Sequence, residues 1–298
     1  MIFDEKTLRK LDRLALAASQ VRAGQIKGER RSLKRGTSIE FADYRDYTRG
    51  DDLRRVDWNV FARLERPYIK LLEEEEDLAV HVLLDASGSM DYGGAGNGHD
   101  SWNKFSYGQR LAAALGYIAL AAGDRLTLAT LRGDAPSAQF GPARGRGPTL
   151  RLLKFLQEQT AGGNTNLDAA LRRYLQGPRR AGLLFLISDL FSPAGYRDGL
   201  SQLQGRGYEL VLLHVLSPDE IDPPLAGDLR LIDIETGAPQ DVTLDNPLRD
   251  LYRKRVDAWC RDIEAYCLKR GVHYVAVSTA VEWDEMVLHH FRERGLIK

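Results

Sequence analysis

Two cysteines in 298 residues, Cys260 and Cys267, are too few for a disulfide scaffold. They stand seven positions apart in a segment that reads as helix, which sets them two turns apart on one face. At 1.5 Å rise per residue their Cα atoms lie about 10 Å apart, too far for a bridge. Two reduced, partly buried thiols are expected, and no Cys/His cluster of metal-site spacing occurs. Histidine is also sparse: His81, His99, His214, His273, His289 and His290 show no base-plus-orienter spacing. The chain has no Gly-x-x-x-x-Gly-Lys loop to cradle ATP and no Gly-x-Ser-x-Gly elbow of a serine hydrolase. No apolar run approaches the roughly 18–20 residues of a membrane span. The opening residues, Met1-Ile2-Phe3-Asp4-Glu5-Lys6, are charged where a signal peptide needs an apolar stretch. Formal net charge is zero, so no global attraction to nucleic acid or anionic membrane is expected. These absences predict a cytoplasmic protein that is not an enzyme of the common nucleotide or serine classes.

The sequence does carry one dense statement of chemistry. Val80–Leu84 is apolar and β-type, and it delivers Asp85, Ser87 and Ser89 in alternation before the chain breaks into glycines. Successive residues of extended backbone point to opposite sides, so positions 85, 87 and 89 start out on one side. A carboxylate and two hydroxyls are hard oxygen donors, suited to Mg²⁺, Mn²⁺ or Ca²⁺ and not to zinc.

From about residue 79 onward strands and helices alternate. Strands are expected at Val80–Asp85, Arg125–Leu131, Leu183–Ser188, Glu209–Leu216 and Tyr274–Ser278. Helices are expected at Phe105–Ala122, Thr149–Gln159, Leu167–Leu175, Ala194–Gln204, Asn246–Arg270 and Val281–Arg294. Leu183–Ser188 is apolar without interruption, as in a strand covered on both faces. Such alternation predicts an α/β fold with a central, mostly parallel sheet and helices on both faces. Residues 228–244 leave that rhythm and read as an inserted β-hairpin. Asp91–His99 and Pro142–Pro148 are glycine-rich and read as surface loops. The first 78 residues read as an appendage: an amphipathic helix over Lys6–Val21, a basic stretch Arg22–Arg35, then irregular β structure dense in aromatics, arginines and aspartates. The expected division is therefore 1–78 and 79–298.

Ligands of an open parallel sheet bind beyond the carboxyl ends of its strands. Three features fall there: Asp85-x-Ser87-x-Ser89, the glycine loop Gly162-Gly163-Asn164-Thr165, and Asp189 after the most apolar strand. Together they resemble the metal-ion-dependent adhesion site of von Willebrand factor A domains, in that family's chain order. The resemblance implies a Rossmann-like A-domain holding a divalent cation, most often Mg²⁺, through Asp85, Ser87, Ser89, Thr165 and Asp189. Asn164 departs from the commoner Gly-Gly-Thr, which bears on the threonine's geometry; Thr165 is either a ligand or a helix cap. Upstream, Glu40-Phe41-Ala42-Asp43-Tyr44-Arg45, Gly50-Asp51-Asp52, Arg55-x-Asp57-Trp58, Ala62-Arg63 and the acidic run Glu73–Asp77 resemble the bacterial family named domain of unknown function 58. That similarity runs from about residue 25 to the C-terminus. It implies an adaptor or co-chaperone role beside a MoxR-type AAA+ ATPase.

A site built mainly of neutral hydroxyls leaves a bound cation electrophilic, so a partner's Asp or Glu can complete its shell. The expected activity is thus metal-dependent protein binding. A rival is a Mg²⁺-dependent hydrolase using Asp85, although position 87 is serine where such enzymes place a second acid. A scaffold with a purely structural metal is a further alternative. Arg22–Arg35 reads as a solvated basic face or docking arm and not as a nucleic-acid grip, because no aromatic interleaves it and Glu29 interrupts it. Asp43, Arg45, Asp51, Asp52, Arg55, Asp57 and Arg63 are expected to form a structural ion-pair network around Tyr44, Tyr47 and Trp58.

Overall fold

Leu183–Ser188, the apolar run, forms a strand buried along its whole length in the computed structural model of the chain. The structure describes residues 9–11, 14, 16–17, 39–48, 51–53, 56–74, 78–93, 103–224, 227–232 and 238–297. The basic stretch 22–35, most of the expected N-terminal helix and residues 94–99 of the loop 91–99 lie outside the described residues, as do Arg55 and the acidic residues 75–77. The chain divides into two compact units, residues 27–77 and residues 1–26 with 78–298.

In the smaller unit β1 (Ile39–Asp46) pairs antiparallel with β2 (Tyr68–Glu74), with a register shift between Phe41 and Asp43. Between them lies α1 (Trp58–Leu64), which the irregular-β expectation had missed. Asp57 starts it: the Asp57 carboxylate accepts the backbone N–H groups of Asn59 and Val60, satisfying two donors that a helix start leaves open. Arg45 pairs with Asp51 at 2.9 Å, and the Asp51 carboxylate also accepts from the backbone N–H and hydroxyl of Thr48. These bonds, the arginine's first among them, hold the Asp51 carboxyl down at about 2. Trp58 is 60% exposed, so it does not sit inside the expected ion-pair network.

The larger unit is built on a six-stranded sheet of order β10-β7-β6-β3-β4-β5, where β3 is Ala79–Asp85, β4 Arg125–Arg132, β5 Ala135–Arg144, β6 Leu183–Ser188, β7 Glu209–Leu216 and β10 His273–Ser278. All neighbours run parallel except β4 and β5. The antiparallel edge strand β5 corrects the sequence reading, which had placed part of it in the loop 142–148. Its side chains are half-buried or exposed, and its prolines and glycine mask any strand pattern.

Helices cover both faces. Val80, Val82 and Leu84 of β3 face one core with α2 (Lys104–Ala121) and α3 (Thr149–Gln157). Leu83 faces the other with α4 (Leu167–Tyr174), α5 (Arg197–Gly205) and the end of a 25-residue helix, Asn246–Arg270. This is strand alternation made physical: one side chain to each layer in turn. A short helix α6 (Pro218–Ile221) follows β7, so Asn246–Arg270 is α7. β8 (Gly227–Ile232) and β9 (Pro239–Leu244) pair antiparallel in the segment read as a hairpin, with the turn residues 233–237 outside the description. The expected last helix is interrupted, as Trp283–Glu285, a π turn Met286–His290 and Phe291–Glu293. Leu11, Leu14 and Leu16 are buried in the first core, and the Ala17 N–H donates to the Leu296 carbonyl at 2.8 Å. Those residues therefore belong to the larger unit and not to the appendage, because their apolar side chains complete its core. Both cysteines are free thiols.

Gly182 shows how tightly β6 meets β3. A Cβ placed there would stand 2.0 Å from the Ala79 carbonyl oxygen and 2.8 Å from the Ala79 Cβ. Backbone cannot yield as a side-chain tip can, so Gly182→Ala is expected to cost about 3 kcal/mol. Denaturant unfolding measures it, and a loss within error of zero would contradict this packing.

Candidate functional site

The site forms where β3 and β6 end side by side. Leaving β3, the chain turns through Ala86–Met90. The Ser87 N–H donates to Asp85 Oδ1 at 2.9 Å, the local bond that short acidic side chains make in turns. The Ser188 hydroxyl, last in β6, donates to Asp85 Oδ2 at 2.6 Å. Ser87 Oγ and Ser89 Oγ lie 3.0 Å apart; because the strand ends at Asp85, the turn that follows brings the two hydroxyls together, not the extended alternation expected from the sequence.

The glycine loop is stitched to this turn by backbone. Gly88 donates to the Gly163 carbonyl at 2.6 Å and Gly162 donates to the Ala86 carbonyl at 2.9 Å. Gly162 and Gly163 adopt φ of +150° and +73°, values that call for glycine. Beyond them Thr165 bridges to Gly133 at the end of β4. Asn166, not Thr165, caps α4, its side chain accepting the Ala169 N–H at 3.0 Å. The choice left open between cap and ligand thus loses its first option: Thr165 Oγ1 is buried and has no hydrogen-bond partner. An unpaired buried hydroxyl is costly and calls for a partner. The third loop joins the second through Ser192, whose hydroxyl donates to the Thr165 carbonyl and accepts from the Leu167 N–H, each at 3.2 Å.

Asp189 is fully buried. Its Oδ1 accepts the Phe191 N–H at 3.0 Å and its carbonyl meets His214 Nε2 at 3.1 Å. The next residue, Leu190, takes φ +61°, a strained turn for a side-chain-bearing residue. Burial first, and then the charge of Asp189, push the Asp85 carboxyl up to about 6, while bonds from Ser188 and Ser87 pull the other way. Asp85, Ser87, Ser89, Thr165 and Asp189 are all buried, and the two carboxylates repel each other.

The sequence reading missed Lys104. It opens α2, is fully buried, and its Nζ stands 2.6 Å from Asp189 Oδ2 and 2.5 Å from Glu220 Oε1. The rings of Phe191 and Tyr92 lie 5.1 and 5.8 Å from it. Glu220 Oε2 in turn accepts the Ser217 N–H that begins α6. One signal was available: a lysine in the first turn of an apolar helix opposes the helix dipole, so it needs a carboxylate close by. Which carboxylate depends on chain contacts 85 and 116 residues away.

No group of three or more His, Cys, Asp or Glu side chains is gathered to hold a metal among the described residues. The set here is different in kind, two acids and three hydroxyls, and its hard oxygens fit a magnesium-like cation. The unpartnered Thr165 hydroxyl is the observation that favours that fit. The buried histidines contribute no free base. His81 meets the Tyr174 hydroxyl at 2.7 Å and the Arg180 carbonyl at 2.9 Å; His214 meets the Tyr274 hydroxyl at 2.9 Å and the Asp189 carbonyl. Burial pushes both imidazoles down to about 4.

Uncharacterized proteins of Mycobacterium tuberculosis and Mycobacterium bovis are each 28% identical to this chain over 286 residues, covering 95% of it and 88% of the relative. Among solved structures, the conserved hypothetical protein BatB from Bacteroides thetaiotaomicron aligns with a TM-score of 0.41 and 13% identity, over 73% of this chain and 98% of that one. No helix among the described residues is long and apolar enough to cross a membrane. The family profile described as protein of unknown function DUF58 matches residues 43–259, most of the chain, and the chain belongs to that family.

Proposed function

We propose that the larger unit is a Rossmann-like von Willebrand factor A domain acting as a non-catalytic, metal-dependent protein-binding module. In this reading Asp85, Ser87, Ser89, Thr165 and Asp189 hold a divalent cation, most readily Mg²⁺. The partner supplies an Asp or Glu side chain. A cation bound there would offer a Lewis-acidic position to that carboxylate. The chain's own residues set the rest. Asp85 and the serine pair are held by local bonds of the turn after β3, so the donors are pre-positioned before anything binds. The observation that carries the reading is the Thr165 hydroxyl, buried without a hydrogen-bond partner in the glycine loop whose backbone is bonded to the turn carrying Ser87 and Ser89.

The partner we propose is a MoxR-type AAA+ ATPase, with this chain as its cytoplasmic adaptor or co-chaperone. That part rests on the resemblance carried by residues 40–77 and Asp85-x-Ser87-x-Ser89. Affinity capture from the native cell, with and without chelator, tests it. The expected result is recovery of an AAA+ ATPase, identified by mass spectrometry, that chelator abolishes and Mg²⁺ restores. Recovery of no such ATPase, or recovery indifferent to chelator, would overturn the assignment.

A further inference from the structure

Asp85 and Asp189 enter the site with unequal surroundings. Asp85 is bonded by neutral donors, a backbone N–H and a hydroxyl. Asp189 faces the ammonium of Lys104, which is closed off from solvent and shared with Glu220. With all four groups ionised, three carboxylates and one ammonium leave the cluster two charges negative, the complement of one divalent cation. Were Lys104 absent, the same cation would sit in a cluster still one charge negative and would repel an incoming carboxylate.

On the metal-binding reading above, we infer that Lys104 is the residue that sets the specificity of this site: it lowers affinity for the bare cation and thereby reserves room for a partner's carboxylate. The argument is Coulombic. A unit charge buried in direct contact with Asp189 is poorly screened, so its removal strengthens the pull of the site on any cation and weakens its pull on any anion. The rings of Phe191 and Tyr92 and the short helix carrying Glu220 keep the ammonium in place. Lys104 is thus a positioning and charge-setting residue that touches no partner itself.

Calorimetric titration of the full chain with Mn²⁺ alone separates the possibilities. Lys104→Gln is expected to bind Mn²⁺ about tenfold tighter than the parent chain, and Lys104→Arg, which keeps the charge, to bind as the parent does. Simple damage to the site would loosen binding, not tighten it. Should Lys104→Gln fail to fold, Lys104→Met, which also removes the charge but keeps an unbranched side chain in the buried position, carries the test with the same expected tightening. Parent-like or weaker binding in a folded chain lacking the Lys104 charge would overturn the role of Lys104 while leaving the metal site standing. Absence of Mn²⁺ uptake by the parent and every variant would instead overturn the metal reading itself.

Discussion

Ser87→Ala combined with Ser89→Ala is expected to abolish divalent-ion binding in calorimetry, a loss of about a hundredfold or more, while the fold survives. Two of the three hydroxyl donors disappear together, and the remaining Thr165 and the two carboxylates supply too few oxygens for a six-coordinate shell. The double substitution is the informative one because the two hydroxyls bond each other at 3.0 Å. Replacing one would orphan the other in a buried turn, at about 1–3 kcal/mol; replacing both removes donor and acceptor together and is close to neutral. The turn itself is held by backbone and by Asp85, which the substitutions leave in place. Circular dichroism and thermal melts should therefore resemble those of the parent. Undiminished Mg²⁺ affinity in the double variant would sink the site assignment.

A second large effect is acid sensitivity of the metal-free protein. His81 and His214 are held neutral by burial, pushed from 6.5 to about 4. An imidazole whose folded pKa lies below its unfolded one contributes fully above pH 6.5. That contribution is lost as pH falls toward 4, because the unfolded chain takes up the proton first. Each histidine then costs about 2 kcal/mol at pH 5. Asp85 acts in the opposite sense. Its folded pKa of about 6 lies above its unfolded value of 3.8, so protonation between those values favours the folded chain. That gain is roughly 1–1.5 kcal/mol at pH 5. Two histidines outweigh one aspartate, and the net loss from pH 7 to pH 5 is about 2–3 kcal/mol. Chelator-treated protein should melt roughly 3–6 °C lower at pH 5 than at pH 7. His81→Gln and His214→Gln should each flatten that slope, whatever they do to stability at pH 7. An unchanged slope in the double variant would show that other groups carry the acid limb.

The sequence by itself determined what is local. The buried strand β6 announces itself as an uninterrupted apolar run, and β3 and β7 as apolar runs broken inside only by His81 and His214. Asp85 is legible as the last residue of its strand, with Ser87 and Ser89 in the turn that follows. The glycine pair before Asn164 marks a backbone that must take positive φ. Helix α7 is legible from Pro247 at its start and Gly271 just past its end. Less was legible where the signal is weak. The half-buried edge strand β5 hides behind its prolines, and α1 is short and buries no side chain.

Only the tertiary structure decided the rest. Whether Thr165 caps α4 turned on a one-residue difference of position, which backbone pairing to Gly133 resolved in favour of Asn166. Leu11, Leu14 and Leu16 joined the larger unit because a core far along the chain had room for them. Lys104, Asp189 and Glu220 meet because the connections that follow β3, β6 and β7 converge at the carboxyl end of these neighbouring strands. Periodicity reports the face a residue takes within its own element. Charge balance in a buried site depends on which elements converge, and that is set by packing between segments the sequence lists far apart.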